Sequence, residues 1–184
     1  MTIIGITGTI GAGKGTLVEY LLREKNFAHY SVRGFLIAEL NKRNLPLNRD
    51  TMAALANALR EKNSPSYIID CLFEQAKTAG KNAVIESIRS VGEVESLRKK
   101  GNFYLLAVDA DPKIRYERIF QRNSETDHVT FAEFLQNEER EMNSTDPNKQ
   151  NLSRCIAMAD YTFCNNLSIN ELHHQLETIL SKII

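Results

Sequence analysis

Residues 8–16 read GTIGAGKGT. Gly8, four further residues, Gly13 and Lys14 have the spacing G-x-x-x-x-G-K of a loop that wraps phosphate with backbone N–H groups. Glycines let consecutive amides converge on an anion with no Cβ in the way. A helix starting at the loop would add free N–H donors and a partial positive charge. Lys14 supplies a mobile cation for the β- and γ-phosphates. Gly8, Gly11, Ala12, Gly13, Lys14, Gly15 and Thr16 are therefore candidate nucleotide-binding residues. The pattern asks for Ser or Thr directly after the lysine, to hold Mg²⁺. Gly15 stands there, and Thr16 comes one place late. The structural alternative is an ordinary glycine-rich strand-to-helix turn.

Phosphoryl transfer needs positioning, a metal ion and cations on the transferring group more than covalent help. Carboxylates and arginines that could supply these cluster in three places. Ile85-Glu86-Ser87-Ile88-Arg89 puts an acid at a strand end, where it can hold metal-bound water, and an arginine three residues on, whose planar fork can reach an acceptor phosphate. Glu86 joins Thr16 as a candidate metal ligand. A local Glu86–Arg89 ion pair is the alternative. Arg115, Arg118 and Arg122 recur at helical spacing, which places three cations on one face. Either they form a solvated, salt-bridged face, in which Glu117 and Glu125 take part, or they clamp a triphosphate as a lid closes. The polar segment Gln121–His128 is the expected lid. A helical stretch over 34–80 and its entrance carry Arg33, Arg60, Tyr67 and Asp70, where an acceptor could lie.

These residues need a scaffold that brings strand ends together. Thr2–Thr7 is a β-rich apolar run of the kind a buried parallel strand uses, and Leu17, Val18, Tyr20, Leu21 and Leu22 follow at helical spacing. Further strands are expected at Phe27–Ser31, Ala83–Ile85, Phe103–Val108 and Tyr161–Cys164. Between them lie helices at roughly Phe35–Lys42, after a cap at Asp50 or Thr51, and after Ser64-Pro65 read as N-cap and first helical residue. Asp111-Pro112 opens another helix, and Thr130-x-x-Glu133 and Ser168-x-x-Glu171 read as capping boxes. The alternation predicts an α/β fold, a five-stranded parallel sheet with helices on both faces, in a single domain over 1–184, with a lid region over 115–145. Ligands then sit at the carboxyl ends of the strands.

The chain has 184 residues and zero formal net charge. It is long enough for one sizeable core and lacks the basic stripe of a nucleic-acid surface. No apolar run could span a bilayer, and the first strand leaves no room for a signal peptide, so a cytoplasmic protein is expected. Cys71, Cys155 and Cys164 cannot all pair and read as buried free thiols, with no metal-binding spacing. His173-His174 reads as a solvated helix face. Monomer and homodimer are both open.

With these residues assembled, the chain resembles the P-loop kinases of small nucleotides. GAGKGT is similar to the adenylate kinase form of the loop, in which Gly then Thr follow the lysine and the hydroxyl still serves the metal site, directly or through water. The resemblance implies ATP and Mg²⁺, an acid at Glu86 and a phosphate-binding arginine at Arg89. It also implies catalytic roles for Lys14, Arg89, Arg118 and Arg122 and donor contacts from Arg118 and Asn165; Arg33 and Arg60 of the helical stretch join Glu86 and Arg89 as candidate acceptor contacts. The second half resembles dephospho-CoA kinases and a related uncharacterised group, through Val108-Asp109-Ala110-Asp111-Pro112 with Arg115 and Arg118, Ile88-Arg89-Ser90 with Glu93, Phe134 with Glu138-Glu139-Arg140-Glu141, and Ala159-Asp160-Tyr161 before Asn165-Asn166. The departure is at Tyr30-Ser31-Val32-Arg33-Gly34, where dephospho-CoA kinases carry an aspartate as base toward a hydroxyl. The absence of a carboxylate there, and the presence of Arg33, favour an acceptor that is already a phosphate. The expected activity is therefore ATP-dependent phosphorylation of a (deoxy)nucleoside monophosphate. The alternatives are dephospho-CoA or another small molecule as acceptor, and a nucleotide-binding switch module.

Overall fold

A computed structural model describes residues 1–124 and 128–184. In chain order its elements are β1 (Ile3–Gly8), α1 (Lys14–Lys25), β2 (Ala28–Ser31), α2 (Val32–Lys42), α3 (Arg49–Lys62), α4 (Tyr67–Ala79), β3 (Ala83–Glu86), α5 (Val91–Lys99), β4 (Phe103–Asp109), α6 (Pro112–Arg122), α7 (Phe131–Met142), α8 (Leu152–Ala157), β5 (Tyr161–Cys164) and α9 (Ile169–Ile183). The five strands form one parallel sheet in the order β2-β3-β1-β4-β5.

β1 is central and buried along its whole length. Its side chains alternate between faces, as the period of two requires. Ile4 and Ile6 pack with α1, α9, Val84 and Leu106 on one face. Ile3 joins α2, α3, α4, α5 and Cys155 of α8 on the other. Apolar side chains on both faces are what a parallel sheet covered by helices demands. Because every pairing is parallel, the strands end along one edge. Register places Ile6 opposite Glu86 and Gly8 opposite Val108, so the phosphate-loop motif, Glu86 and Asp109 emerge together.

Several helix starts differ from the sequence expectation, each for a local reason. α2 begins at Val32, because Ser31 accepts a hydrogen bond from the Gly34 N–H (3.1 Å) and caps it. Arg33 therefore lies in a first helical turn. α3 is capped by Asn48, whose side chain takes the Thr51 N–H at 2.8 Å, so neither Asp50 nor Thr51 is the cap. α4 starts at Tyr67, after a turn in which the Ser64 carbonyl takes the Tyr67 N–H; Ser64 does not cap it and Pro65 precedes it. The Asp111, Thr130 and Ser168 caps form as expected, although at Ser168 only the side-chain half of the box is seen. Cys155 is buried, but Cys71 is half-buried and Cys164 exposed, so three buried thiols is corrected to one. No described helix is long and apolar enough to cross a membrane.

Candidate functional site: a cationic cavity at the strand edge

The loop from Gly8 to Gly13 turns tightly between β1 and α1. At Gly8 (φ 137°) a Cβ would run into the Val108 carbonyl, and at Gly13 (φ 106°) into the Asn165 amide, so both positions exclude larger residues. Asn165, which is buried, braces the loop from outside. Its Nδ2 donates to the Ala12 carbonyl at 2.8 Å, and its own N–H donates to the Asp109 carbonyl at 2.7 Å. Asp109 adds a second brace through the Thr9 hydroxyl at 2.5 Å. Lys14 folds back along the loop and donates to the carbonyls of Gly8 (2.9 Å) and Thr9 (2.7 Å). Burial lowers its pKa to about 7, helped by the nearby Arg89 charge and opposed by Glu141 and Glu86. An anion in the loop would reverse that shift by favouring the charged form.

Glu86 closes β3. Burial alone would raise its pKa, but hydrogen bonds from His29 and Ser31, with the charges of His29 and Lys14, hold it below the ordinary carboxylate range. His29 Nε2 lies 3.2 Å from its Oε1. The side chain is thus an ionised carboxylate beside the loop. Ser87, next along, takes a left-handed conformation (φ 68°), a strained choice for a non-glycine residue of the kind that collects at functional sites. Arg89 does not pair with Glu86. Its Nη1 donates instead to Glu141 of α7 (2.5 Å) and to Gln150 (3.0 Å).

The three arginines of α6 do not share one role. Arg115 is 2% exposed and turned inward. It is paired with Glu138 of α7, with Nη2 to Oε1 at 2.9 Å, and donates to the Ala110 carbonyl at 2.7 Å. It joins α6 to α7 and to the loop, and the common cationic face is corrected accordingly. Arg118 and Arg122 line the cavity. Arg118 Nη2 donates to the Asn165 carbonyl at 3.0 Å. The expected lid segment Gln121–His128 contains Glu125, Thr126 and Asp127, which lie outside the described residues.

All of this opens into one cavity of about 620 Å³. Its lining joins Gly11, Gly13, Lys14, Gly15 and Thr16 of the loop and Arg118 and Arg122 of α6 to Arg33, Arg49, Arg60, Arg89, Gln150 and an apolar patch from α2 and α3. The described lining carries seven cationic side chains (Lys14 and six arginines) against two carboxylates, Glu86 and Glu141. A lining of this composition suits an anionic ligand. Three buried side-chain polar atoms among the described residues lack a partner, and two of them are guanidinium nitrogens of lining residues: Arg118 Nη1 and Arg60 Nη1. Native proteins leave few such donors unpaired, and a ligand is one explanation. For a divalent cation the donors are the Thr16 hydroxyl and the Glu86 carboxylate. Among the described residues no group of three His, Cys, Asp or Glu could hold a metal. Two hard oxygen donors beside a phosphate cradle suit Mg²⁺, which keeps waters and draws its other ligands from phosphate.

Most of the expected residues therefore meet here. Gly8 and Ala12 shape the loop without lining the cavity. Asn165 spends its amide on the loop, and Asn166 lies off the cavity, its Oδ1 on the Asp111 N–H. Tyr67 and Asp70 also lie off it; Asp70 is held by Ser66, Ser96 and Lys100. The expected acceptor region over 34–80 thus contributes through α2 and α3, while α4 packs into the core. Arg49, Ser87, Glu141 and Gln150 were not foreseen as site residues. Ser87 lies within the 85–89 strand-end motif and Glu141 within the 138–141 stretch; Arg49 and Gln150 reach the cavity through tertiary packing.

Residues 4–145 match the family model of an AAA domain, AAA_18. A UPF0200 protein of Methanococcus vannielii is 32% identical over 188 residues, spanning 100% of this chain and 97% of its own length. Among solved structures, TT1252 from Thermus thermophilus superposes with a TM-score of 0.63 at 21% identity, covering 100% of this chain and 98% of its own. A shikimate kinase from Bacteroides thetaiotaomicron superposes at 0.59 with 14% identity, covering 98% of each. At these identities the structures establish a shared fold. Sequence and fold together place this chain in the UPF0200 family, with an AAA domain of the AAA_18 family over residues 4–145.

Proposed function

We propose that this protein is a kinase that transfers the γ-phosphoryl group of ATP to a small nucleotide, a ribo- or deoxyribonucleoside monophosphate. The observation that carries this reading is a single cavity lined both by the phosphate loop with Lys14 and by a second cationic set, Arg33, Arg49, Arg60 and Arg89. A nucleotide switch needs the first set only. A lining rich in arginines, with Lys14, suits ligands that carry phosphate on both the donor and the acceptor.

In this reading the chain's residues divide the work. The amides of Gly13, Lys14 and Gly15, with the Lys14 ammonium, hold the β- and γ-phosphates. Thr16 and Glu86 would hold Mg²⁺, directly or through water, and the ion would neutralise charge on the phosphates. Arg118 and Arg122 take the donor side, with Asn165 keeping the loop in shape. Arg89, released from Glu141, takes the acceptor phosphate. Arg33 and Arg49 flank the acceptor entrance, and Val32, Leu36, Met52 and Ala53 provide an apolar wall for its ring. A phosphate acceptor needs no strong base, which fits an entrance lined by arginines. The whole chain acts as one domain, with α6 and α7 as its lid region.

The test is a coupled ADP-release assay with ATP, Mg²⁺ and a panel of acceptors: the ribo- and deoxyribonucleoside monophosphates, dephospho-CoA, shikimate and gluconate. Stimulation by a monophosphate supports the proposal and names the substrate. Stimulation confined to a hydroxyl acceptor overturns the acceptor class. A slow basal rate that none of them raises points to the switch module.

A further inference from the structure

We propose that Arg60 is a second anion-binding residue at the acceptor end, donating through Nη1 to an oxygen of the acceptor phosphate, with one buried carboxylate, Glu93, fixing both Arg60 and the loop that carries Arg89. The inference rests on the reading of that end as a site for a phosphate-bearing acceptor.

Arg60 is 2% exposed and Glu93 fully buried. Nε and Nη2 of Arg60 both donate to Glu93 Oε1, at 3.1 and 2.7 Å. The other oxygen, Oε2, accepts the N–H of Arg89 at 2.8 Å and of Ser90 at 3.1 Å. The carboxylate is therefore fully used, and one edge of the guanidinium with it. Nη1 lies on the other side of the planar group and is buried with no acceptor, in a residue that lines the cavity. A pair with a purely structural task would satisfy that nitrogen too, because an unmet buried donor is costly. A planar fork held rigid along one edge is instead a preorganised donor for an oxyanion on the other.

The placement fits. Met52, Ala53, Ala56 and Arg60 all line the cavity from α3 at spacings of three and four. Arg49 lines it from the first turn of the same helix, eleven positions earlier, which is three turns and about 16 Å along the axis. The acceptor's anionic end thus meets Arg60 and Arg89, and its apolar body lies over the alanines, whose small side chains leave room for it. Binding there tightens a unit already joined through Glu93, so acceptor and Arg89 are aligned together.

The experiment fills the donor loop with Mg²⁺ and β,γ-imido-ATP, then titrates inorganic phosphate by calorimetry into wild type and Arg60→Lys. Lysine keeps a charge toward Glu93 and loses Nη1. The expected result is phosphate binding weakened tenfold or more in the variant, with analogue affinity within twofold of wild type. Unchanged phosphate affinity, or no phosphate binding to wild type once the loop is filled, overturns the proposal. If Arg60→Lys does not fold, guanidinium NMR of the wild type decides: the Arg60 Nη1 signals shift with phosphate, or they do not and the proposal falls. The two readings fail separately. Phosphate that binds through Arg60 while no nucleotide stimulates ADP release removes the kinase assignment alone. Normal nucleotide turnover with an unchanged acceptor KM in Arg60→Lys removes this one alone.

Discussion

At the scale of single residues, Lys14 and Arg89 carry the sharpest expectations. Lys14 has its pKa lowered from 10.5 to about 7, by burial first and by Arg89 second. Triphosphate beside the ammonium favours the charged form, so ATP binding at pH 8 should take up close to one proton, and at pH 6 almost none. Calorimetry in two buffers of different ionisation enthalpy measures this directly, and no uptake at pH 8 would refute the assignment. The sign for stability runs the other way. Between about 7 and 10.5 the unfolded chain holds more protons on this group than the free folded protein does, so its contribution to stability rises with pH across that window. Arg89→Ala should lower kcat/KM for the acceptor by about 10²–10³, while leaving ATP affinity within a few-fold; equal loss of both would place Arg89 in the donor half. The loop, Glu86 and Arg89 were legible in the sequence because local spacing fixes what they can do. Gln150 and Arg49 were not, since nothing near them in the chain says that they will face Arg89 and the apolar wall.

At the scale of elements, α6 shows why spacing reads only half the story. Arg115, Arg118 and Arg122 recur every three to four residues, yet Arg115 turns to Glu138 while the other two line the cavity. The periodicity gave the helix; which of its arginines is structural depended on where α7 docks. Arg115→Ala strands Glu138 and removes donors from the Ala110 and Ile10 carbonyls. It should cost about 3–5 kcal/mol in urea unfolding, whereas Arg118→Ala should leave the midpoint nearly unmoved and lower ATP-dependent turnover. A stable Arg115→Ala would show that α7 is held elsewhere. α7 also carries Glu141 to Arg89, in competition with an acceptor anion. Glu141→Gln should therefore tighten phosphate binding at the acceptor end several-fold in the loop-filled titration, and weaker binding would mean that Glu141 orients Arg89. The strands were legible as apolar runs between turn signals. The starts of α2, α3 and α4 were missed because Ser31, Asn48 and the 64–66 turn act through side-chain or carbonyl hydrogen bonds that alternative caps nearby could equally have made.

At the scale of the whole molecule, the question is whether the site and the core come apart together. The two apolar clusters lie on opposite faces of one sheet, and β1 contributes to both. α8 packs on β1 and is tied to the site at its start, where the Asn151 N–H donates to the Arg89 carbonyl at 2.8 Å. Opening α8 therefore disturbs Arg89 as well as the core, which argues for a single cooperative unit. Cys155 within α8 reports on that opening. It is fully buried, and burial, with the Glu93 charge, pushes its thiol up to about 12. The thiolate is the reactive form, so Cys155 should react with a thiol reagent only through opened molecules, while exposed Cys164 reacts at once. ATP with Mg²⁺ at about 100 times its Kd lowers the population of globally opened chains by about 100-fold. The Cys155 labelling rate should fall by that factor, with the Cys164 rate unchanged. A Cys155 rate indifferent to ATP would mean that α8 opens on its own, and with it the acceptor end, leaving the phosphate loop and the rest of the sheet intact.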